Sequence, residues 1–369
     1  MKIDRVEIYH VQMPLIYPWR TAYGEDPNID SVLVKLDSEG EHGWGETTPF
    51  AAPAYSPEWA QGVFTLIQRY LASRIVGVEI DSAQDLLNKV AMFKGNPFAK
   101  AGLELAWWVL AAKMKGRPLH RLLGGAGDDI SIGADFGVQD NMETLLTKIQ
   151  GAIDQGYPRV KLKFRRGWDI NMLQAVRDRF PDFTFHIDCN SSFTLADTEL
   201  FKKIDRFELA MIEQPLDHAD LLDHAELQKQ LETPICLDES ITSPKAMENA
   251  VRLRSCRYVN IKTGRVGGLS NAVRIHDICK DAGIPCWVGG NLESAVGSGI
   301  SVELATLPNI KYPADIFPSK VQYANDLSSP EVVPSAPGKL ATSSVPGIPY
   351  EPRPEMLKLH TVMSATVTR

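Results

Sequence analysis

Val160-Lys161-Leu162-Lys163-Phe164 is the stretch that decides the fold, because it begins a series of charged residues at nearly constant spacing. After Lys163 the series continues, at steps of 24 or 25 residues, with Asp188, Glu213, Asp238 and Lys262. Each of these residues ends a short apolar run typical of a buried strand, and segments of helical periodicity separate the runs. The repeat therefore predicts strand–helix units whose parallel strands close into a barrel.

The ends of these strands are expected to carry the chemistry, since the carboxyl ends of barrel strands converge on one mouth. Side chains alternate between the two faces of a strand, so Lys161 and Lys163 share the inner face. On the next strand the same rule groups His186 with Asp188. The mouth is thus predicted to hold a lysine pair, three acids and a further lysine, in that order.

The region before the barrel has a mixed pattern that predicts an α+β domain. Residues 2–15 alternate like a strand, 31–36 and 42–46 are typical of a hairpin, and 58–72, 82–93 and 97–115 have helical periodicity. Two aromatic or proline-rich loops, 17–24 and 48–55, lie between these elements. They are either irregular turns packed on their own domain or a pair of flaps over a pocket.

The chain is predicted to divide into three segments. Gly124-Gly125-Ala126-Gly127 marks the first boundary, 130–136 supplies the first barrel strand, and 285–288 and 312–316 supply the seventh and a weaker eighth. We therefore predict an α/β fold: a modified TIM barrel of the (β/α)7β type over 126–322, with an α+β capping domain over 1–125. Residues 323–369 are expected to return to the capping domain and complete it.

Composition points to an ordinary soluble protein. The chain has 369 residues, 44% hydrophobic and 23% charged, and a net charge of −7 that argues against a nucleic-acid surface. The N-terminus lacks the continuous apolar core of a signal peptide, and the helix 97–114 carries three charges that exclude a membrane span. Five cysteines without a metal-binding spacing are expected to be reduced core residues. A cytoplasmic location follows from these features.

Three carboxylates at one mouth would repel each other strongly unless a cation lay among them. Because the ligands are oxygens, the expected ion is Mg²⁺, or Mn²⁺, and not zinc. The neighbouring Asn190, Gln214 and Glu239 could support these ligands. The plainer alternative is that the three acids solvate strand ends or cap the following helices.

The two lysines at the ends of the series are expected to flank the cation from opposite sides. A partly desolvated ammonium near other cations loses its proton more easily and can act as a base, and Lys161 is expected to lower the proton affinity of Lys163 in this way. A metal-bound carboxylate beside a neutral lysine suits removal of the proton on the adjacent carbon. The resulting enediolate would be stabilised by the cation and by the remaining ammonium of Lys262.

Several motifs resemble the enolase superfamily, specifically its muconate-lactonizing subgroup, over nearly the whole chain. They are Lys161-Leu162-Lys163, Asp188-Cys189-Asn190, Ile212-Glu213-Gln214-Pro215, Leu237-Asp238-Glu239-Ser240 and Asn260-Ile261-Lys262. Within the subgroup, the segments 260–268, 290–294 and 312–316 are most similar to o-succinylbenzoate synthases and N-succinylamino acid racemases.

The resemblance implies that Asp188, Glu213 and Asp238 bind Mg²⁺ and that Lys163 and Lys262 flank a small carboxylate substrate. In a synthase of menaquinone biosynthesis, which we take as the first expectation, Lys163 would remove the α-proton and return it to the departing hydroxide. Lys262 would then stabilise the enediolate. In a racemase, the alternative, the two lysines would act as base and acid on opposite faces.

The resemblance also implies a set of substrate contacts, namely Arg20, Tyr55, Asn291, Glu293 and Ser294. A homo-oligomer is expected, and no nucleic acid or membrane partner. Four positions depart from the pattern of the subgroup: Val109, Cys189, Thr263 and Asn291. None of the four is a predicted metal ligand or lysine.

Four other interpretations stay open on the sequence. Dipeptide epimerase and muconate cycloisomerase would share the fold, but an epimerase is expected to carry Asp-x-Asp where this chain has Asp315-Ile316-Phe317. The glycine-rich segment 264–268 could cradle a phosphate. A non-catalytic binding protein on the same scaffold is the alternative of a different class, and the intact lysine pair weighs against it.

Overall fold

An antiparallel sheet of four strands, in the order β15-β1-β2-β3, forms the base of the cap. The strands are β1 (Arg5–Arg20), β2 (Glu25–Ser38), β3 (Glu41–Thr47) and β15 (Thr361–Thr368). A two-residue turn, Glu39-Gly40, joins β2 to β3. Both residues have positive φ, which is the backbone conformation required by the hairpin turn whose twist matches that of the strands. This computed structural model describes residues 1–369, and its last strand adds to the sheet that its first strand begins.

Helices cover one face of this sheet. They are α1 (Ala60–Leu66), which continues through a π turn (Ile67–Leu71) and a 3₁₀ turn (Ala72–Arg74), α2 (Ala83–Lys89), α3 (Pro97–Met114) and α4 (Leu119–Leu123). The long helix α3 packs closely on β3, where a Cβ added to Gly43 would lie 2.4 Å from the Ala106 carbonyl oxygen. Glycine at this position therefore lets helix and sheet approach, and the predicted α+β capping domain is confirmed.

Seven parallel strands form the barrel sheet, in the order β11-β10-β9-β8-β7-β6-β5. They are β5 (Ala134–Phe136), β6 (Val160–Lys163), β7 (Phe185–Asp188), β8 (Ile212–Glu213), β9 (Ile235–Leu237), β10 (Tyr258–Ile261) and β11 (Cys286–Val288). The crossover helices are α5 (Met142–Asp154), α6 (Ile170–Arg179), α7 (Thr198–Lys202), α8 (Leu222–Gln228), α9 (Pro244–Leu253), α10 (Leu269–Asp281) and α11 (Ala295–Leu304). The strand–helix repeat predicted from the spacing is confirmed.

The eighth barrel position differs from the prediction, because residues 312–316 form no strand. Single bridges instead join this segment to both edges of the sheet, Ala314 to Ile132 on one side and Asp315 to Gly289 on the other. The fully buried Arg159 donates to the carbonyls of Pro313 and Ala314 and so holds the segment in place. Backbone hydrogen bonds also join the segment to both neighbours, from the Ala314 N–H to the Ser131 carbonyl at 2.9 Å and from the Asp315 N–H to the Val288 carbonyl at 2.8 Å.

Two further boundaries were predicted wrongly. The expected first strand, 130–136, is broken: β4 (Asp129–Ser131) pairs with a tail strand in a separate two-stranded sheet, and only 134–136 enters the barrel. The expected loop 17–24 is partly strand, since β1 runs on to Arg20 after a register break between Pro14 and Trp19. The pairing of β4 depends on residues 339–341, far along the chain, whereas β1 pairs beyond its register break with Glu25 and Asp26 at the start of β2.

The tail crosses the barrel and reaches the cap through short elements. These are α12 (Ser319–Gln322), β12 (Ser328–Ser329), β13 (Lys339–Ala341), β14 (Glu351–Pro352) and α13 (Pro354–His360). One continuous apolar core joins cap and barrel, and it includes Val34 and Phe98 as well as Leu162 and Ile261. All five cysteines are buried and free, as expected. No helix combines the length and the apolar character that a membrane span needs.

Candidate active site

Neighbouring strands place Lys163, Asp188 and Glu213 in one row at the barrel mouth. The parallel register pairs Lys163 with Asp188 and Asp188 with Glu213. Lys163 Nζ donates to Asp188 Oδ2 at 2.7 Å, and the three side chains are buried. The structure therefore brings the first predicted lysine and two of the predicted acids together.

Lys161 lies among four carboxylates. Its Nζ is 3.0 Å from Glu213 Oε2, 3.1 Å from Asp188 Oδ2, 3.3 Å from Asp315 Oδ2 and 3.8 Å from Asp135 Oδ2. Burial opposes the charge of Lys161, but these acids outweigh it and raise its pKa well above the ordinary value. The expected influence of Lys161 on Lys163 stays a prediction; the two ammonium groups share one acceptor, Asp188 Oδ2.

Lys262 and Asp238 occupy the opposite side of the mouth. Lys262 Nζ is 3.0 Å from Asp238 Oδ2 and 4.8 Å from the ring centre of Tyr55. Arg265 pairs with Asp238 Oδ1, and the Tyr55 hydroxyl donates to the same oxygen at 3.2 Å. Burial opposes the charge of Lys262, but Tyr55, Glu213 and Glu239 outweigh it and raise its pKa.

The three residues predicted to support the acids do contact them or the segments that carry them. The Asn190 backbone N–H donates to Asp188 Oδ1 at 2.9 Å, and Gln214 Oε1 accepts from the Asp238 backbone N–H at 2.9 Å. Glu239 accepts from Asn190 Nδ2 at 3.4 Å, and burial raises its pKa to about 7. Asn190 and Gln214 have positive φ, so the chain turns sharply where these side chains are needed.

A small cavity lies above these groups, between barrel and cap. Its lining from the barrel is largely charged or polar, whereas its lining from the cap is aromatic. The lining residues are Trp19, Tyr23, Phe50, Tyr55, Asp135, Lys161, Lys163, Asn190, Lys262, Gly290, Asn291, Leu292, Asp315 and Phe317. Lys163 and Lys262 both open into this space, and both aromatic segments of the cap cover it.

Two family models match the chain. The mandelate racemase/muconate lactonizing enzyme N-terminal domain matches residues 3–124, and the enolase C-terminal domain-like model matches residues 144–356. The chain belongs to this family of the enolase superfamily. The resemblance read from the strand-end motifs is thereby confirmed over both parts of the molecule.

Named relatives cover nearly the full length of this family member. It is 41% identical to an o-succinylbenzoate synthase from Geobacillus stearothermophilus, over 95% of the chain and 94% of the relative. It is 39% identical to an N-succinylamino acid racemase from an Amycolatopsis species, over 97% of each chain. A crystal structure of an enolase superfamily member from Listeria innocua superposes with a TM-score of 0.95 at 36% identity, covering 100% of this chain and 99% of that one. The predicted fold is confirmed.

Only two of the five expected substrate contacts line the cavity of this enolase superfamily member, namely Tyr55 and Asn291. Arg20 pairs instead with Glu25 and Asp140, outside the cavity. Ser294 is the N-cap of α11 and donates to Glu46 at 2.5 Å. Glu293 turns back to accept from the Asn291 backbone N–H at 2.8 Å. Sequence position alone could not separate lining residues from residues that hold the lining in place.

The three predicted metal ligands are not arranged as a formed metal site, since no group of three or more potential ligand side chains is gathered around one point. Lysine ammonium groups lie against the acids instead. The site nevertheless suits a cation, because it contains buried side-chain oxygens that accept no hydrogen bond. These are Asn190 Oδ1 and Glu239 Oε2, whereas Glu213 Oε2 and Asp238 Oδ2 have ion-pair partners, the ammonium groups of Lys161 and Lys262. Oxygen donors of this type fit Mg²⁺ or Mn²⁺.

Neither Asp135 nor Trp19 was singled out from the sequence, and His186 was placed on the inner face without a role. Asp135 ends the inner face of β5, directly beside Lys161 in the register, and its strand position could have revealed it. Below the mouth, His186 contacts Trp287 and Tyr312 in the barrel interior, and burial lowers its pKa to about 4. Trp19 lies 5.4 Å from Lys163 Nζ. It reaches the cavity only because β1 extends further than its apolar pattern indicates.

Proposed function

We propose that this protein removes the proton adjacent to the carboxylate of a small substrate, as an o-succinylbenzoate synthase of menaquinone biosynthesis. One observation carries the proposal: Lys163 and Lys262 enter a single buried cavity from opposite sides, each paired with a strand-end acid. The synthase at 41% identity supports the choice of reaction. The predicted site residues have the roles given below.

In the proposed dehydration, Lys163 is the base, and its Nζ takes the α-proton as the carbon–hydrogen bond breaks. The carbon–oxygen bond on the adjacent carbon then breaks, and Lys163 returns its proton to the departing hydroxide, which leaves as water. Lys262 stays protonated and stabilises the negative charge that develops on the substrate. Mg²⁺, or Mn²⁺, held by Asp188, Glu213 and Asp238 would supply positive charge beside the substrate carboxylate.

N-succinylamino acid racemase activity is the second candidate. Both lysines are almost fully buried, and each lies against an aromatic ring of the cap, Trp19 for Lys163 and Tyr55 for Lys262. This two-sided arrangement suits proton removal on one face and proton return on the other. A racemase at 39% identity gives further support.

The test is incubation of the Mg²⁺-loaded protein with the synthase substrate and, separately, with N-succinylamino acids in deuterium oxide. We expect dehydration of the first and exchange of the α-hydrogen in the second, both abolished by Lys163→Ala. If the wild-type protein performs neither reaction, the proposed function is wrong. Dehydration without exchange would leave the synthase alone.

Other family reactions have less support. A dipeptide epimerase is disfavoured because Phe317, which lines the cavity, stands where the second acid of Asp-x-Asp is expected. Muconate cycloisomerase and a non-catalytic binding role would each leave one flanking lysine or both without a task. We also propose the domain limits 1–125, 126–322 and 323–369, a cytoplasmic location and a homo-oligomeric state.

A further inference from the structure

We propose that Asp135 is a specificity residue, whose carboxylate accepts a hydrogen bond from an N–H group on the α-carbon of the substrate. The ligand class that this implies is an N-acylamino acid, whose carboxylate would lie beside the cation held by the three acids and whose amide nitrogen would lie at Asp135. The inference rests on the proposed racemase activity and names the contact that would select its substrates.

The order of strands around the barrel divides the cavity into two halves. The proposed metal ligands end β7 and β8 or follow β9, and the flanking lysines come from β6 and β10. With the substrate carboxylate beside the cation that these acids would hold and its α-carbon between the lysines, the other substituents must point toward β5, β11 and the closing segment, residues 312–317, which lies between the two edges of the sheet. Asp135 ends the inner face of β5, and the closing segment contributes Asp315 and Phe317.

On the β5 side of the cavity, the Asp135 carboxylate has an oxygen that receives no hydrogen bond. Its side chain is only 3% exposed, yet Oδ1 accepts no hydrogen bond from any group of the protein. Oδ2 lies 3.8 Å from Lys161 Nζ, beyond hydrogen-bonding distance. A buried polar atom without a partner costs free energy, so a bound molecule that supplies a donor gains affinity there.

The other polar groups in this half are already engaged. Asp315 accepts from Arg159 at 3.2 Å and from Lys161 at 3.3 Å, and Asn291 Nδ2 donates to the Thr48 carbonyl at 3.1 Å. Their surroundings are apolar, with Trp19, Leu292 and Phe317 in the same lining. A neutral secondary amide, which offers one donor and no additional charge, suits this environment better than an ammonium group, whose desolvation costs far more.

The test compares two ligands that differ in one atom. An N-acylamino acid carries N–H on its α-carbon, and the corresponding O-acyl hydroxy acid carries an ester oxygen at the same place and has no donor. Their dissociation constants are measured by calorimetry on the full-length Mg²⁺-loaded protein, and α-hydrogen exchange is recorded in parallel. We expect the wild type to bind the amide at least about tenfold more tightly than the ester.

Asp135→Ala should reduce this preference to about twofold or less, because the acceptor is gone. Asp128→Ala is the matched control, since Asp128 is fully exposed and does not line the cavity, and it should keep the full preference. The wild-type comparison needs no variant, so the inference can be overturned even if Asp135→Ala does not fold. Equal binding of amide and ester by the wild type, or an undiminished preference in Asp135→Ala, would overturn it.

These outcomes are separate from those of the proposed function. Absence of α-hydrogen exchange by the wild type, with the amide still preferred in binding, would remove the racemase and keep the role of Asp135. If the wild type exchanges the α-hydrogen of both ligands and binds them with equal affinity, the proposed reaction stands and the role of Asp135 is removed. Failure to bind either ligand would overturn the inference, since the site would then not take this class of molecule.

Discussion

The barrel and the cap contribute opposite kinds of surface to the same cavity. The barrel presents ammonium and carboxylate groups from its strand ends, whereas the cap presents Trp19, Tyr23, Phe50 and Tyr55. The barrel strands are fixed by hydrogen bonds to the adjacent strands of the sheet. The cap residues in the lining come instead from the end of β1 and from the chain that follows β3. The comparison indicates that the barrel carries the groups of the proposed reaction and the proposed Asp135 contact, while the cap gives the cavity its apolar wall.

The largest effect is expected from removing a barrel lysine. Lys163→Ala takes away the proposed base, so the rate of α-proton removal should fall by about 10³-fold or more. Turnover of the synthase substrate and α-hydrogen exchange are the measurements. Lys245→Ala changes an exposed lysine of α9 and should leave both rates unchanged. Activity retained by Lys163→Ala would assign the chemistry to another group.

Removing the divalent cation by chelation tests the acidic side of the barrel. The expected loss of activity is similar to, or smaller than, that of Lys163→Ala. Treatment with EDTA is expected to lower activity by about 10²-fold or more, because charge on the substrate would then lack its counter-ion. Added Mg²⁺ or Mn²⁺ should restore it, and Ca²⁺ should restore less. The readout is the initial rate after dialysis. Full activity after chelation would show that the lysine-paired acids work without a cation.

The cap should affect binding more than turnover. Phe50→Ala removes a buried ring from the cavity, so KM should rise about tenfold while kcat changes by less than about threefold. Tyr17→Ala is the control in the cap, since Tyr17 is 73% exposed and does not line the cavity. A drop in kcat without a change in KM would contradict the division of labour between cap and barrel.

The smallest effect on activity is expected from Glu58, which holds the start of α3 in the cap. Its carboxylate accepts from the backbone N–H groups of Phe98 and Ala99, and burial raises its pKa to about 7 from an ordinary 4.5. Between these pH values the folded protein binds more protons than the unfolded chain, so the free energy of unfolding falls as pH rises from about 4.5 to about 7.

Glu58→Gln removes that titration, so its melting temperature should be less sensitive to pH than that of the wild type across this window. The difference in free energy of unfolding amounts to at most about 3 kcal/mol. Thermal unfolding at pH 5 and pH 8 measures it, and activity at either pH should change little. Identical pH profiles for the two proteins would show that another group controls the slope.

The central features of the site could be predicted because they are local and periodic. Lys163, Asp188 and Glu213 each end a strand, and a period of one strand and one helix brings such ends to neighbouring positions in a parallel sheet. The hairpin of β2 and β3 was likewise visible in its turn. The placement of Arg20, Glu293 and Ser294 was not, since the direction of a side chain in a loop depends on contacts that the local pattern does not contain.

By itself, the sequence determined the strand–helix period, the face of each barrel strand and the set of charged residues at one mouth, because these follow from backbone geometry. Tertiary structure decided which charges meet: four acids around Lys161, Arg265 and Tyr55 on Asp238, and no protein donor for Asp135 Oδ1. Those pairings arise between residues more than 20 positions apart. Their geometry is fixed only when the barrel closes and the cap packs over it.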